Sequence, residues 1–520
     1  MNERRVLRAA AAILAAIGIG LRVAGTFTDP LWLDEAYTAY AADHGFAFLW
    51  AVVPRYETHP PFYYSLMHLW VLLFGDGRVA LRLPGLIAGL ATVPMVALAA
   101  GDIARLAGWS DMARQRLGFA AFAFACVSIP LNEMTHEVRP YPLMILAYAG
   151  AIWMLVRLAI RVRDGGAIAG RSYAAYLALL AAMLWLHNLG PLYGVALTLA
   201  LAVAVLRQGL TRRDWAWLVG GHLAVALLYL PALRILLDQA PTWVSSTWLR
   251  FSLETVLPRL GVLYALPDWP GLAALVLAGL AVAALVRGGG GRIATMLLTL
   301  ALVPVLLSVS LSLTVAPVFI TRTMTPVAVP TLLLFAIGAT AWSDRRRWLA
   351  LGAAAMLGPG MLSSDVQARL DGPMQDWYRT VDWLAARVRP GDRIFAYPNE
   401  GALPMAYALR DKGLSVPIRA IPTAVPSFAE AGGWYPTGSR GVVSLPRRRL
   451  RAIAQEPATR AVPTIWLLRL GAETYDPGNM FLEELHRGRY IVRSWKSGAI
   501  DIVGLARRPT PPPAPVRSPR

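Results

Sequence analysis

Apolar runs of membrane-crossing length alternate with short polar connections as far as about residue 362, and the pattern then changes. A spanning helix needs about 20 mostly apolar residues. Runs that reach or approach this length lie at about 6–26, 79–100, 117–131, 141–160, 173–187, 190–206, 215–237, 270–286, 293–313, 323–342 and 347–362. They predict an α-helical polytopic membrane protein with about 11 spans. The runs 117–131 and 173–187 are short and need tilt, flanking residues or local bilayer thinning to cross. Arg4, Arg5 and Arg8 precede the first run, as in a signal peptide. Its length, Arg22 near its far end and the spans behind it favour a retained first helix.

Two shorter stretches, 36–53 and 61–74, follow the first span. They suit helices lying in the membrane interface, with Trp32, Trp50, Tyr63, Tyr64 and Trp70 at headgroup depth. The segment 238–269 is similar, with Trp243, Trp248 and Trp269. Simple anchoring also explains these aromatics.

After about Ser364 apolar density falls and no further span follows. Asp376 to Val388 reads as a helix containing Trp383 and Leu384. Arg393–Tyr397 and Thr464–Leu468 read as strands, with turn signals at Pro390-Gly391-Asp392 and Pro477-Gly478-Asn479. The predicted organisation is a transmembrane domain over 1–363 with a long first outer loop at 27–78. A small C-terminal extracytoplasmic α/β domain covers 364–508, and a disordered proline-rich tail covers 509–520.

Composition agrees. Hydrophobic residues are 56% and charged residues 16% of the 520, against about 45–50% and about 25% in a soluble domain. A soluble cytosolic enzyme and a disordered chain are both excluded. The net charge of +19 would suggest nucleic acid in a soluble protein. Here loop arginines explain it, and no nucleic-acid partner is expected. With the N-terminus in the cytoplasm, the inside connections carry Arg105, Arg114 and Arg116; Arg157, Arg161, Arg163 and Arg171; Arg207, Arg212 and Arg213; Arg287 and Arg292; and Arg345, Arg346 and Arg347. That satisfies the positive-inside rule and puts everything after about residue 363 outside. The single cysteine, Cys126, excludes an intramolecular disulfide.

Candidate chemistry gathers on the outer side. Asp34 and Glu35 are adjacent carboxylates just past the first span, where a charge needs solvent or a partner. Asp34 also reads as an N-cap for a helix starting at Glu35. Glu57 and His59 precede Pro60-Pro61, and the second proline suits a helix's first turn. In extended backbone the two side chains point the same way and could bind a divalent metal or a sugar. Glu137, Arg139 and Tyr141 form a third outer group, and His187 and Arg322 sit at outer ends of spans. His187 also suits plain packing, and Arg322 could snorkel or hold a lipid phosphate.

At these residues the chain resembles the GT-C superfamily of polytopic glycosyltransferases. It looks most like the bacterial branch related to protein O-mannosyltransferases and lipid A aminoarabinose transferases. The resemblance rests on Trp32-x-Asp34-Glu35-Ala36-x-Thr38-Ala39, His59-Pro60-Pro61-x-Tyr63-Tyr64 and Phe74-Gly75. It continues in Ala80-Leu81-Arg82-Leu83-Pro84-Gly85, Glu137-x-Arg139-Pro140-Tyr141, and Arg322 with Pro326 and Pro330. Thr323 stands where tyrosine is usual. It covers roughly residues 5–345, and the tail 364–520 has no counterpart.

The resemblance implies an inverting enzyme of the cell envelope. A hexose or pentose passes from a polyprenyl-phosphate donor to a hydroxyl of a lipid, polysaccharide or protein acceptor. The reaction occurs on the periplasmic face of the bacterial inner membrane. It implies Asp34 as base with Glu35 assisting it or binding acceptor. Arg139 and Arg322 would stabilise the phosphate, ahead of Arg82, which also suits plain anchoring of a helix, with Tyr63, Tyr141 and Glu137 lining the substrate site. Relatives hold a divalent ion near the lipid phosphate, and Glu57, His59 and His187 are the residues here that would supply ligands. No other cofactor is implied. The aminoarabinose transferases usually carry Glu-Lys-Pro-Pro where this chain has Thr58-His59-Pro60-Pro61. Gly288–Gly291 reads as a turn rather than a phosphate cradle. The alternatives are a lipid-linked-glycan ligase, a flippase or a secondary transporter. A transporter would be expected to show inverted repeats and ionisable residues deep in several spans.

Overall fold

In the computed structural model, each predicted apolar run coincides with a helix or, at 117–131, with a bent pair. The structure describes residues 3–507 other than 207, 248, 265–267, 426, 428–443 and 477. The expected proline-rich tail, Trp248 and Pro477 lie outside the described residues. The chain divides into two compact units, Met1–Thr28 with Thr38–Gly372, and Asp29–Tyr37 with Pro373–Arg520.

The first unit is helical. Among the described residues, 8 helices are long and apolar enough to cross a membrane: Glu3–Val23, Arg78–Leu106, Tyr141–Arg163, Arg212–Ser245, Pro270–Arg287, Gly291–Thr314, Thr321–Thr340 and Arg346–Asp371. The run 117–131 is not one straight span. The helix Asp111–Cys126 breaks and continues as Ile129–Thr135 at an angle of 56°. Pro130 explains the break, because proline fits the first turn of a new helix and not the interior of an old one. Arg171–Leu186 and Gly190–Val205 have 16 residues each. At 1.5 Å per residue they reach about 24 Å, short of the roughly 30 Å hydrocarbon core.

Thr321–Thr340 is the most buried of the long helices and Glu3–Val23 the least. Gly338 lets the former press against the helix Asp268–Arg287. A Cβ there would overlap the Leu277 carbonyl. The segment 27–78 folds into the helices Leu33–Ala42, Phe46–Ala51 and Pro61–Phe74. Pro61–Phe74 buries Tyr63, Tyr64 and Met67 and exposes Leu66, Leu69, Leu72 and Leu73. That division suits a helix in the interface.

The second unit holds five described strands: β1 (Arg393–Ala396), β2 (Ile418–Ala420), β3 (Thr464–Leu470), β4 (Arg489–Ser497) and β5 (Ile500–Arg507). Their order is β2-β1-β3-β5-β4. β1 pairs in parallel with β2 and β3, while β5 runs antiparallel to β3 and β4. Alternate side chains of β1 serve two faces, as the strand period requires. Ile394 and Ala396 join a core with Trp377, Leu384, Met405 and Trp466. Phe395 joins another with Leu450, Ile453 and Phe481. The expected helix 376–388 is Trp377–Ala385, capped by Asp376 Oδ1, which accepts from Arg379 N at 2.9 Å.

Gly338→Ala should therefore strain the close helix pair, costing roughly 1–3 kcal/mol. Gly352→Ala, where a Cβ meets nothing within 4 Å, should be neutral or slightly stabilising. Thermal denaturation of the purified protein in detergent should separate the two variants.

Candidate active site

Two prolines set the first feature. Pro61 opens the helix Pro61–Phe74, where a missing N–H is harmless, and Pro60 holds extended backbone before it. Glu57 and His59 thus sit on a short stretch between the turn Val53–Arg55 and that helix. The stretch is pinned from two other elements. Gln239 Nε2 donates to the carbonyls of Pro54 (2.7 Å) and Glu57 (2.9 Å). Asn188 Nδ2 donates to the Thr58 carbonyl and to Gln239 Oε1.

Arg139 comes from the turn between Ile129–Thr135 and Tyr141–Arg163. This turn lies against glycines of the helix Arg78–Leu106. A Cβ on Gly85 would come 2.8 Å from the Thr135 carbonyl and 3.2 Å from that of Glu137, and one on Gly89 would clash with the Thr135 side chain.

The guanidinium of Arg139 is the hub. Nη1 donates to Glu57 Oε1 at 3.0 Å, Thr38 Oγ1 at 3.3 Å and Tyr64 Oη at 3.3 Å. Nη2 donates to Glu57 Oε2 at 3.2 Å and to His59 Nδ1 at 2.9 Å. Arg139 is 3% exposed and Glu57 8%, so this bidentate pair is charge-assisted and largely dry. Since Arg139 can only donate, His59 Nδ1 must accept, which leaves the proton on Nε2. Burial, then the charges of Arg139 and Arg322, holds the His59 pKa well below the usual 6.5. The ring is therefore neutral, and its 3.5 Å approach to Glu57 is not an ion pair. His59 Nε2 is buried and has no hydrogen-bond partner among the described residues. A buried donor of this kind is suited to an acceptor brought by a ligand.

Around this hub stand other expected residues. His187 packs its ring against His59 at 4.5 Å between centroids and 85°, and Tyr141 lies 6.2 Å from His59 and 5.8 Å from His187. Tyr63 is buried beside Tyr64 at 5.6 Å. Glu137 is half-buried on the turn that ends in Arg139. Arg322 is half-buried in the turn Thr321–Met324, whose Thr323 carbonyl accepts from Tyr193 Oη at 2.6 Å. Thr323, in the usual tyrosine position, thus contributes its backbone.

The expected metal ligands do not form a set. Among the described residues no group of three or more His, Cys, Asp or Glu side chains is disposed to hold a metal ion. Both oxygens of Glu57 face Arg139, His59 Nδ1 accepts from it, and His187 Nδ1 accepts from Leu189 N at 2.9 Å. Tyr64, Thr38, Gln239 and Asn188 are the network members given no site role from sequence. Thr38 and Tyr64 lay inside quoted motifs without a role of their own, and nothing in the spacing marks Gln239.

Asp34 and Glu35 belong to the second unit. Their helix begins at Leu33, so Asp34 is its second residue rather than the cap of a helix starting at Glu35. Glu35 is 1% exposed, and its Oε2 accepts from Trp32 N at 3.2 Å. This is the return half of a capping box. Asp34 is half-buried.

The solved structures most like this chain include ArnT from Cupriavidus metallidurans, a lipid A aminoarabinose transferase, in the apo state. The TM-score is 0.58 at 13% identity over 96% of this chain and 97% of that one. The form of ArnT bound to undecaprenyl phosphate gives 0.55 at 13% identity over the same shares. The chain has the GT-C fold. The same fold relates it to the oligosaccharyltransferase of Archaeoglobus fulgidus, tethered to an acceptor peptide, at TM-score 0.51 and 12% identity over 97% of this chain and 74% of that one. No family model and no curated protein sequence matches the chain. The GT-C likeness to ArnT extends over 96% of the chain and so takes in the C-terminal region, where sequence motifs gave no match.

The depressed pKa of His59 fixes a pH dependence. Above about 6.5 the imidazole is neutral in folded and unfolded chains alike. As pH falls below that, the unfolded chain takes up a proton that the folded site refuses, and stability falls. Melting temperature in detergent should decline from pH 7.5 to 5.0, and less steeply in His59→Gln.

Proposed function

We propose that the protein is an inverting glycosyltransferase of the bacterial inner membrane. It moves a sugar from a polyprenyl-phosphate donor to an acceptor hydroxyl on the outer face. The observation that carries this reading is the GT-C fold shared with ArnT over nearly the whole of both chains, in a protein whose structure includes an undecaprenyl-phosphate complex. The acceptor is a lipid, a polysaccharide or a protein hydroxyl, and the sugar a hexose or pentose.

Asp34 takes the proton of the acceptor hydroxyl. The acceptor oxygen forms its bond to the anomeric carbon, the bond to the phosphate oxygen breaks, and polyprenyl phosphate leaves with the electron pair. Of the two carboxylates, Asp34 is the better base because it is half-buried at the position matching the family's aspartate, whereas Glu35 is almost fully buried. Leaving-group charge calls for cations placed to meet it. Arg322 takes that role, while Arg139 holds Glu57 and orients His59. The His59 Nε2–H then donates to the same phosphate or to a sugar hydroxyl. Tyr63, Tyr141 and Glu137 line the substrate site. The N-terminus faces the cytoplasm, and the sheet domain lies outside, as the arginine pattern requires.

Membranes carrying the protein, charged with radiolabelled polyprenyl-phosphate sugars, should transfer label to an endogenous acceptor. Asp34→Asn should lower the rate by about 10²–10⁴-fold. Glu35→Gln, which keeps an oxygen for the Trp32 amide, should stay within about tenfold of wild type. Equal activity of Asp34→Asn and wild type would remove the base assignment.

A further inference from the structure

The carboxylate-bearing segment Asp29–Tyr37 belongs to the same compact unit as the sheet domain, although more than 330 residues of chain separate them. Two interactions within that unit make the connection. The Leu33 side chain packs against the core formed by Trp377, Val381, Leu384 and Trp466. The Leu33 N–H donates to Gln375 Oε1 at 3.1 Å. That N–H is in the first turn of the helix carrying Asp34, where backbone donors have no intrahelical partner. Gln375 supplies the missing acceptor from a distant part of the chain.

Gln375 is itself held. Its Oε1 also accepts from Trp377 Nε1 at 3.2 Å, and its backbone carbonyl accepts from Trp377 N at 3.0 Å. Trp377 is fully buried in the core. Two N–H donors converging on one atom require an acceptor there, so the amide orientation follows from its surroundings. A continuous path runs from the sheet core through Trp377 and Gln375 to the Leu33 amide, next in sequence to Asp34.

We propose that Gln375 is a positioning residue for Asp34, and that the C-terminal domain anchors the carboxylate pair rather than serving as a passive cover. The catalytic part of this inference rests on Asp34 as the base. The anchoring part does not. Loss of the acceptor frees the first helical turn, and small displacements of a reacting group lower the rate strongly.

The test uses the purified full chain in proteoliposomes, with two readouts. Hydrogen–deuterium exchange follows the amides of 33–37, with strand β3 as internal control. Steady-state transfer is measured from the undecaprenyl-phosphate sugar that the wild type uses. Gln375→Met removes the acceptor at nearly constant size, whereas Gln375→Glu keeps oxygen acceptors for both N–H groups. In Gln375→Met, exchange at 33–37 should rise about tenfold with β3 unchanged. Its kcat should fall about tenfold with KM for the donor within about twofold. Gln375→Glu should restore both.

Unchanged exchange at 33–37 in Gln375→Met overturns the anchoring. Faster exchange in β3 as well means that the residue merely holds the domain together, and it also overturns the proposal. Full activity of Gln375→Met beside an inactive Asp34→Asn removes the positioning and leaves the base. An active Asp34→Asn removes the base reading, and the exchange result then decides the anchoring alone.

Discussion

The buried pair between Arg139 and Glu57 is the constraint on which the candidate site of the first unit depends. A guanidinium almost removed from water is tolerable only because a carboxylate meets it with both oxygens and Thr38, Tyr64 and His59 take further bonds. Removing one partner of such a pair typically costs about 3–5 kcal/mol, because the other charge is left uncompensated. The pair also has chemical consequences. It sets the tautomer of His59, adds to burial in keeping that ring neutral, and engages both oxygens of Glu57. The glycines that admit the Arg139 turn, and the Gln239 and Asn188 amides that pin the Glu57 stretch, support this one junction.

The adjacent carboxylates divide in a similar way. Glu35 closes the first turn of its own helix through the Trp32 amide, and half-buried Asp34 is the carboxylate proposed for proton transfer. The helix start is tied into the sheet domain by Leu33, so local capping and long-range packing meet at one amide.

Much of the architecture was legible in the sequence because the bilayer imposes a simple rule on composition. Apolar runs identified the helices, and the prolines at 60–61 located a helix start to the residue. The break at 127–128 was not read from the run's hydropathy, which a bent and a straight crossing share; Pro130 is the residue that marks it. In the C-terminal domain, β1 was readable as an apolar run after a turn signal and β3 as an apolar run. β4, an edge strand carrying Arg489, Arg493 and Lys496, was not. Adjacent motif residues were readable as candidates, but their partners were not. Arg139 meets Glu57 across 82 residues, and Gln375 meets Leu33 across 342. No local pattern encodes such pairings. The expected metal ligands meet the same limit. Glu57 and His59 have ligand chemistry, but the arginine that occupies them comes from elsewhere in the chain.

The most direct measurement follows both products of the proposed displacement. Purified protein in proteoliposomes would be supplied with undecaprenyl-phosphate-linked sugars and a cell-envelope extract as acceptor. Released undecaprenyl phosphate and newly glycosylated acceptor would be quantified together. A glycosyltransferase of the kind described here yields the two in equal amounts, from a lipid-linked donor and without a nucleotide sugar. Folded, correctly inserted protein that releases no undecaprenyl phosphate from any donor, or that needs a nucleotide sugar to label the acceptor, would contradict the account.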